Sequence, residues 1–171
     1  VLNKELNMKQ LVRTIQPDIP QLRQELNECD YIDGTGIIKY DPHRGEMKKR
    51  TTWWAVMECD DGISDYYRYQ IMKEYGINLH QPSWGAHVSI IRGERPRDDL
   101  MHLWKKYDKQ KVEFKYAHFP RFNGDTKIVT SHKNGAFWFL DVDAPFLTDI
   151  RKELELPHDW KLHLTVGRRW D

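Results

Sequence analysis

Residues 84–95 read WGAHVSIIRGER and residues 160–171 read WKLHLTVGRRWD. Aligned on His87 and His163, both follow W-x-x-H-φ-[ST]-φ-x-R, with φ apolar: Trp84 matches Trp160, Ser89 matches Thr165 and Arg92 matches Arg168. Both stretches alternate apolar and polar positions, which predicts strands. Side chains two apart on a strand share a face. His87 and Ser89 are therefore expected to project together, as are His163 and Thr165, while Val88, Ile90, Leu164 and Val166 point the other way into a core. The same count puts Trp84 and Trp160 on the apolar face as core anchors. It sets Lys161 and Arg169 in phase with His163, and leaves Arg92 and Arg168 out of phase unless Gly93 or Gly167 twists the chain.

Working outward, the chain from residue 51 alternates strand and helix signals. TTWWAVMEC (51–59) is β-branched and aromatic, ISDYYRYQIMKEYG (63–76) reads as a helix capped near Ser64 and stopped at Gly76, and the first histidine strand follows. RDDLMHLWKKY (97–107) reads as a helix, KVEFKYAHF (111–119) as a strand, and TKIVTSHKNGAFWFLDV (126–142) as two strands about the turn KNG. APFLTDIRKELEL (144–156) is a helix with Pro145 in its first turn, and the second histidine strand closes the series. Each motif thus lies on a strand that follows a helix, as in an internal duplication. Upstream, residues 2–15 and PQLRQELN (20–27) predict accessory helices, and CDYIDGTGIIKYDPHRGEMKKR (29–50) reads as a turn-rich loop with a basic flank at Lys48, Lys49 and Arg50. The expected division is an N-terminal helical and loop extension over 1–50 packed on a domain over 51–171.

Composition narrows the class. The 171 residues, 39% hydrophobic and 12% aromatic, suffice for one domain with a real core or two small lobes sharing one. Lys and Arg total 27 against 26 Asp and Glu, a net charge of +1, so no broad basic field for gripping duplex DNA is expected. Any anion must be held locally. Cys29 and Cys59 form neither a disulfide framework nor a metal-binding spacing, and a reducing, cytoplasmic setting is the default expectation. No apolar run approaches membrane-spanning length, and VLNKELNMKQ has no signal-peptide core.

Two imidazoles and two hydroxyls converging in a groove suit phosphodiester cleavage. A nucleophilic oxygen must lose a proton, the leaving oxygen must gain one, and charge on the phosphoryl oxygens must be held by donors. One histidine serves as base and the other as acid, with no metal or other cofactor required. Without convergent Cys or Glu, the pair makes a poor zinc site. Arg92, Lys161, Arg168 and Arg169 are the candidates for holding the anion, and some of Trp53, Trp54, Tyr116, Phe137, Trp138 and Phe139 are expected to line the groove. A lone strand histidine is more often structural than catalytic, so His43, His80, His102, His118, His132 and His158 are read as structural. Tyr66, Tyr67, Tyr69 and Tyr75 on one helix are read as packing residues.

The segments HVSI and LHLTVGR resemble the signature of the 2H phosphoesterase superfamily. The resemblance implies a bilobal α+β fold with two antiparallel-sheet lobes around a central groove, metal-free catalysis, and catalytic roles for His87, Ser89, His163 and Thr165. It implies a nucleotide or short oligonucleotide as substrate. The leading expectation is a cyclic oligonucleotide signal, cleaved in the host cytoplasm as in a phage branch that evades immune signalling. RNA-end 2′,3′-cyclic or 2′,5′-linked oligonucleotides are the alternative, and a non-catalytic nucleotide-binding sponge a third.

Overall fold

The computed structural model describes residues 31–43, 51–123 and 136–169. The two helices expected before residue 30 lie outside them, as do Lys48 to Arg50 and the first strand expected before KNG. In chain order the elements are β1 (Tyr31–Tyr40), β2 (Trp54–Cys59), α1 (Asp61–Tyr75), β3 (His87–Arg92), a 3₁₀ turn (Asp98–Leu103), β4 (Lys111–Ala117), β5 (Arg121–Phe122), β6 (Ala136–Asp143), α2 (Pro145–Glu153) and β7 (His163–Arg169). The fold is α+β.

All the described strands belong to one antiparallel sheet in the order β4-β1-β2-β3-β7-β6-β5, and a further pairing of β4 with β6 closes six of them into a barrel. Closure gives every strand of the ring two neighbours and leaves no long edge. The expected sheets of the two halves are therefore one continuous surface, and the two motif strands lie side by side in it. Their meeting point is the pair Val88 and Leu164.

Each helix is set by local chemistry. The Asp60 carboxylate accepts the Gly62 N–H at 2.8 Å to cap α1, and Gly76, at φ 66°, ends it with its N–H on the Met72 carbonyl. Pro145 opens α2, where its missing N–H costs nothing. Both helices cover the apolar side of the sheet: Tyr67 and Ile71 of α1 and Leu147 and Ile150 of α2 share one core with Met57, Val88, Ile91, Leu140 and Leu164. Each fully buried aliphatic side chain there contributes on the order of 1.5–3 kcal/mol.

Three expectations need correcting. The stretch read as a loop is strand β1, paired with β2 from Gly36 opposite Cys59 to Tyr40 opposite Ala55, so the sheet begins well before residue 51. The glycines of DGTG are not turn residues but gaps beneath large neighbours: a Cβ on Gly34 would lie 2.9 Å from the Phe114 ring, and one on Gly36 2.4 Å from Met57 Cγ. The helix expected over 97–107 shortens to the 3₁₀ turn Asp98–Leu103, and Lys105 just beyond it takes a left-handed φ of 65°.

Candidate functional site

The antiparallel pair Val88–Leu164 fixes what surrounds it. Carrying the register one residue each way sets His87 opposite Thr165 and Ser89 opposite His163. By that register each histidine stands across from the other motif's hydroxyl residue. The two histidines are diagonal neighbours on one face, with side-chain roots roughly 7 Å apart, the spacing of such pairs on any antiparallel ladder. That span leaves room for one phosphoryl group between two ring nitrogens.

Each ring is held by a carbonyl two residues before it. His87 Nδ1 lies 2.9 Å from the Gly85 carbonyl oxygen, and the His163 ring hydrogen-bonds the Lys161 backbone. An Nδ1–H donated to the Gly85 carbonyl leaves His87 Nε2 as the nitrogen that exchanges protons. Gly85 adopts φ 67°, and the Asp61 carboxylate takes the Ala86 N–H at 2.7 Å, so the start of β3 is pinned to the start of α1. Burial is the largest influence on His163 and holds it below the ordinary histidine range. The Lys161 hydrogen bond and Asp141 oppose that shift, and the positive charges of Arg92 and Arg168 add to it.

The arginines reach the histidine side through matched bulges. On β3, Val56 pairs with Ser89 and Ala55 with Ile91, which leaves Ile90 as the extra residue. On β7, Phe139 pairs with Thr165 and Trp138 with Gly167, which leaves Val166 in the same role. One extra residue reverses the alternation beyond it. Arg92 therefore stands opposite Trp54, in phase with His87, and Arg168 opposite Phe137, in phase with His163. Their guanidinium carbons lie 5.7 Å from the Trp54 ring and 5.0 Å from the Phe137 ring. The same reversal sends Arg169, opposite Ala136, to the other face, and Lys161 precedes the strand as an exposed side chain. The expectation from simple alternation is thus inverted at Arg92, Arg168 and Arg169.

The two tryptophans also part company. Trp160 packs against the core with the Arg151 guanidinium 4.1 Å above its ring. Trp84 instead sets its edge against Trp54 at 5.2 Å and His87 at 5.3 Å, because the left-handed turn at Gly85 breaks the alternation assumed for it. It is a site residue, not the core anchor expected. Of the other aromatics, Phe137 and Phe139 flank His163 at 6.2 and 5.6 Å, whereas Trp138 packs against the core.

Two carboxylates escaped the sequence reading. Glu58 stands directly opposite His87 and Asp141 directly opposite His163. Each is engaged from the next strand, Glu58 by Lys39 at 2.7 Å and Asp141 by Arg121 at 2.9 Å. Lys39 is opposite Val56 and Arg121 opposite Phe139, so even these flanking cations occupy equivalent places. The register reveals this, and the sequence carries only a faint trace of it: Trp54 to Glu58 and Phe137 to Asp141 both run from an aromatic through three apolar residues to an acid. Among the described residues no group of three or more His, Cys, Asp or Glu side chains could hold a metal ion, and no helix is long and apolar enough to cross a membrane.

No protein-family model, curated protein or solved structure matches this chain.

Proposed function

We propose that this protein is a metal-independent phosphodiesterase of the 2H type, acting on a nucleotide phosphodiester through His87 and His163. The observation that carries the reading is the two-fold arrangement about Val88 and Leu164, with a histidine, a hydroxyl and an arginine from each motif on one face.

His163, held toward its neutral form, takes the proton from the attacking hydroxyl as the new P–O bond forms. His87 gives a proton to the leaving oxygen as the old P–O bond breaks. If the attacking group is the substrate's own 2′-hydroxyl, the roles exchange when water opens the cyclic product. Arg92, Arg168, Ser89 and Thr165 hold the non-bridging oxygens, where charge accumulates in the transition state. Glu58 and Asp141 orient the positive charge that each imidazole acquires in turn. Trp54, Trp84, Phe137 and Phe139 offer flat apolar surface for bases beside the phosphate.

A cyclic oligonucleotide signal is the substrate we favour, with host-cytoplasmic immune evasion as the biological setting. Aromatic and arginine pairs on both sides of the histidines suit a phosphodiester that carries a nucleoside on each side. The test is incubation with 2′,3′-cyclic, 2′,5′-linked and 3′,5′-linked linear and cyclic oligonucleotides, with and without EDTA, and product identification by mass. Cleavage of the cyclic members that persists in EDTA supports the reading. Turnover of only 2′,3′-cyclic ends would move the protein to RNA-end processing, tight binding with no product would make it a sponge, and dependence on a divalent ion would end the metal-free mechanism.

A further inference from the structure

We propose that Arg68 and Arg151 are positioning residues for the site, each reaching from the helix of one half to the bulge of the other and so keeping Arg168 and Arg92 on the histidine face. Arg68 of α1 donates through Nη1 to the carbonyl of Val166, the extra residue of β7, at 3.0 Å. Arg151 of α2 donates through Nη1 to the carbonyl of Ile90, the extra residue of β3, at 2.9 Å. A bulge leaves its extra residue outside the strand ladder, and a buried carbonyl there needs another donor. Both helices supply it with the same atom, and both supply it across the two-fold.

Each arginine is itself fixed. Arg151 is 2% exposed, makes a bidentate pair with Glu94 at 2.8 Å for both bonds, and stacks on Trp160. Arg68 pairs with Asp65, and its stem reaches Val166 because the next residue is glycine: a Cβ on Gly167 would come 3.1 Å from Arg68 Cδ and 2.7 Å from Leu79 Cβ. If the brace is released, the bulge can slip back into regular alternation, and Arg168 then turns to the opposite face.

The inference rests on the phosphodiesterase reading only for what the arginines hold, so the experiment uses no substrate. The His163 ring is titrated by NMR in the full-length protein as wild type, Arg68→Ala, Arg168→Ala and the double variant. Arg92, Arg168 and Asp141 are the charged groups acting on that ring, and removal of Arg168 should raise its pKa. Arg68→Ala should raise it in the same direction, and the double variant should go no higher than Arg168→Ala alone. An unchanged pKa in Arg68→Ala, or a rise that adds fully to that of Arg168→Ala, would overturn the proposal, because the first denies any effect and the second denies that it runs through Arg168. Should Arg68→Ala not fold, Arg68→Lys, which keeps the stem and charge but loses the guanidinium fork, is titrated in its place with the same outcomes. Loss or absence of turnover bears on the phosphodiesterase reading alone and leaves the outcome of these titrations unchanged.

Discussion

Val88 and Leu164 face each other across the junction of β3 and β7, and both are wholly buried. The histidines, hydroxyls, arginines and facing carboxylates are arranged symmetrically about this apolar pair, so the two histidines should be equally indispensable. His87→Ala and His163→Ala are each expected to lower kcat by roughly 10²–10⁴-fold, the usual worth of a general acid or base. The double variant should be barely slower than the weaker single, because one proton transfer without its partner assists little. Single-turnover rates check this, with thermal melts to establish that the variants stay folded. Near-normal rates in either folded variant would reject the paired-histidine mechanism.

The inverted phase of the arginines separates four basic residues into two groups. Arg92→Ala and Arg168→Ala should each weaken substrate binding by roughly 10- to 100-fold, since each removes a charge-assisted bond worth about 1.5–3 kcal/mol. Arg169→Ala and Lys161→Ala should leave it within about two-fold. Equilibrium binding of a slowly cleaved analogue to the four variants tests the assignment, and a larger effect at Arg169 than at Arg168 would show the bulge register to be wrong.

Burial lowers the pKa of His163 in the folded state, so the unfolded chain binds the proton more tightly. Its contribution to stability is therefore complete above the ordinary histidine value of about 6.5 and is lost as the pH falls through the lower folded value. Urea midpoints measured from pH 8 to pH 5 should decline more steeply for the wild type than for His163→Gln. Parallel curves would contradict the shift. The rate of turnover should trace a bell near neutrality, with apparent values that belong to the coupled pair.

Stability also reports on the close packing at Gly36 and on the buried Arg151. Gly36→Ala forces a Cβ against Met57 and the Glu58 carbonyl, and overpacking of that kind should cost about 1–3 kcal/mol in urea unfolding. Arg151→Ala should cost about 3 kcal/mol, the lower end for breaking a buried ion pair, because Glu94 remains partly in water. A neutral Gly36→Ala would mean that β1 does not pair with β2 in the register described.

What could be read in advance was whatever depends on neighbours along the chain. The histidine strands, α1 with its stop at Gly76, and α2 with Pro145 at its start all follow from alternation, helical spacing and capping. What could not be read depends on partners distant in sequence. A bulge is a mismatch between two strands, so neither Ile90 nor Val166 signals it alone, and simple alternation leaves the arginines beyond them out of phase with the histidines. Gly34 and Gly36 resemble turn residues until Phe114 and Met57 are seen to fill the space above them. Glu58 and Asp141 go unmarked in the sequence because the histidines opposite them lie on other strands.

From the β3–β7 junction the sheet runs β3, β2, β1 in one direction and β7, β6, β5 in the other, and the arginine of each half's helix ends on the strand of the other half. When residue i of one unit meets residue j of a second, and j of the first meets i of the second, the contact is the isologous kind found between identical subunits. A half-length peptide with a single strand–strand–helix–strand unit would hold one histidine, one hydroxyl and one unbraced bulge, and would complete them only by pairing with a copy of itself. Joining two units in one polypeptide makes that meeting intramolecular, so that completeness of the site no longer depends on how much protein is present.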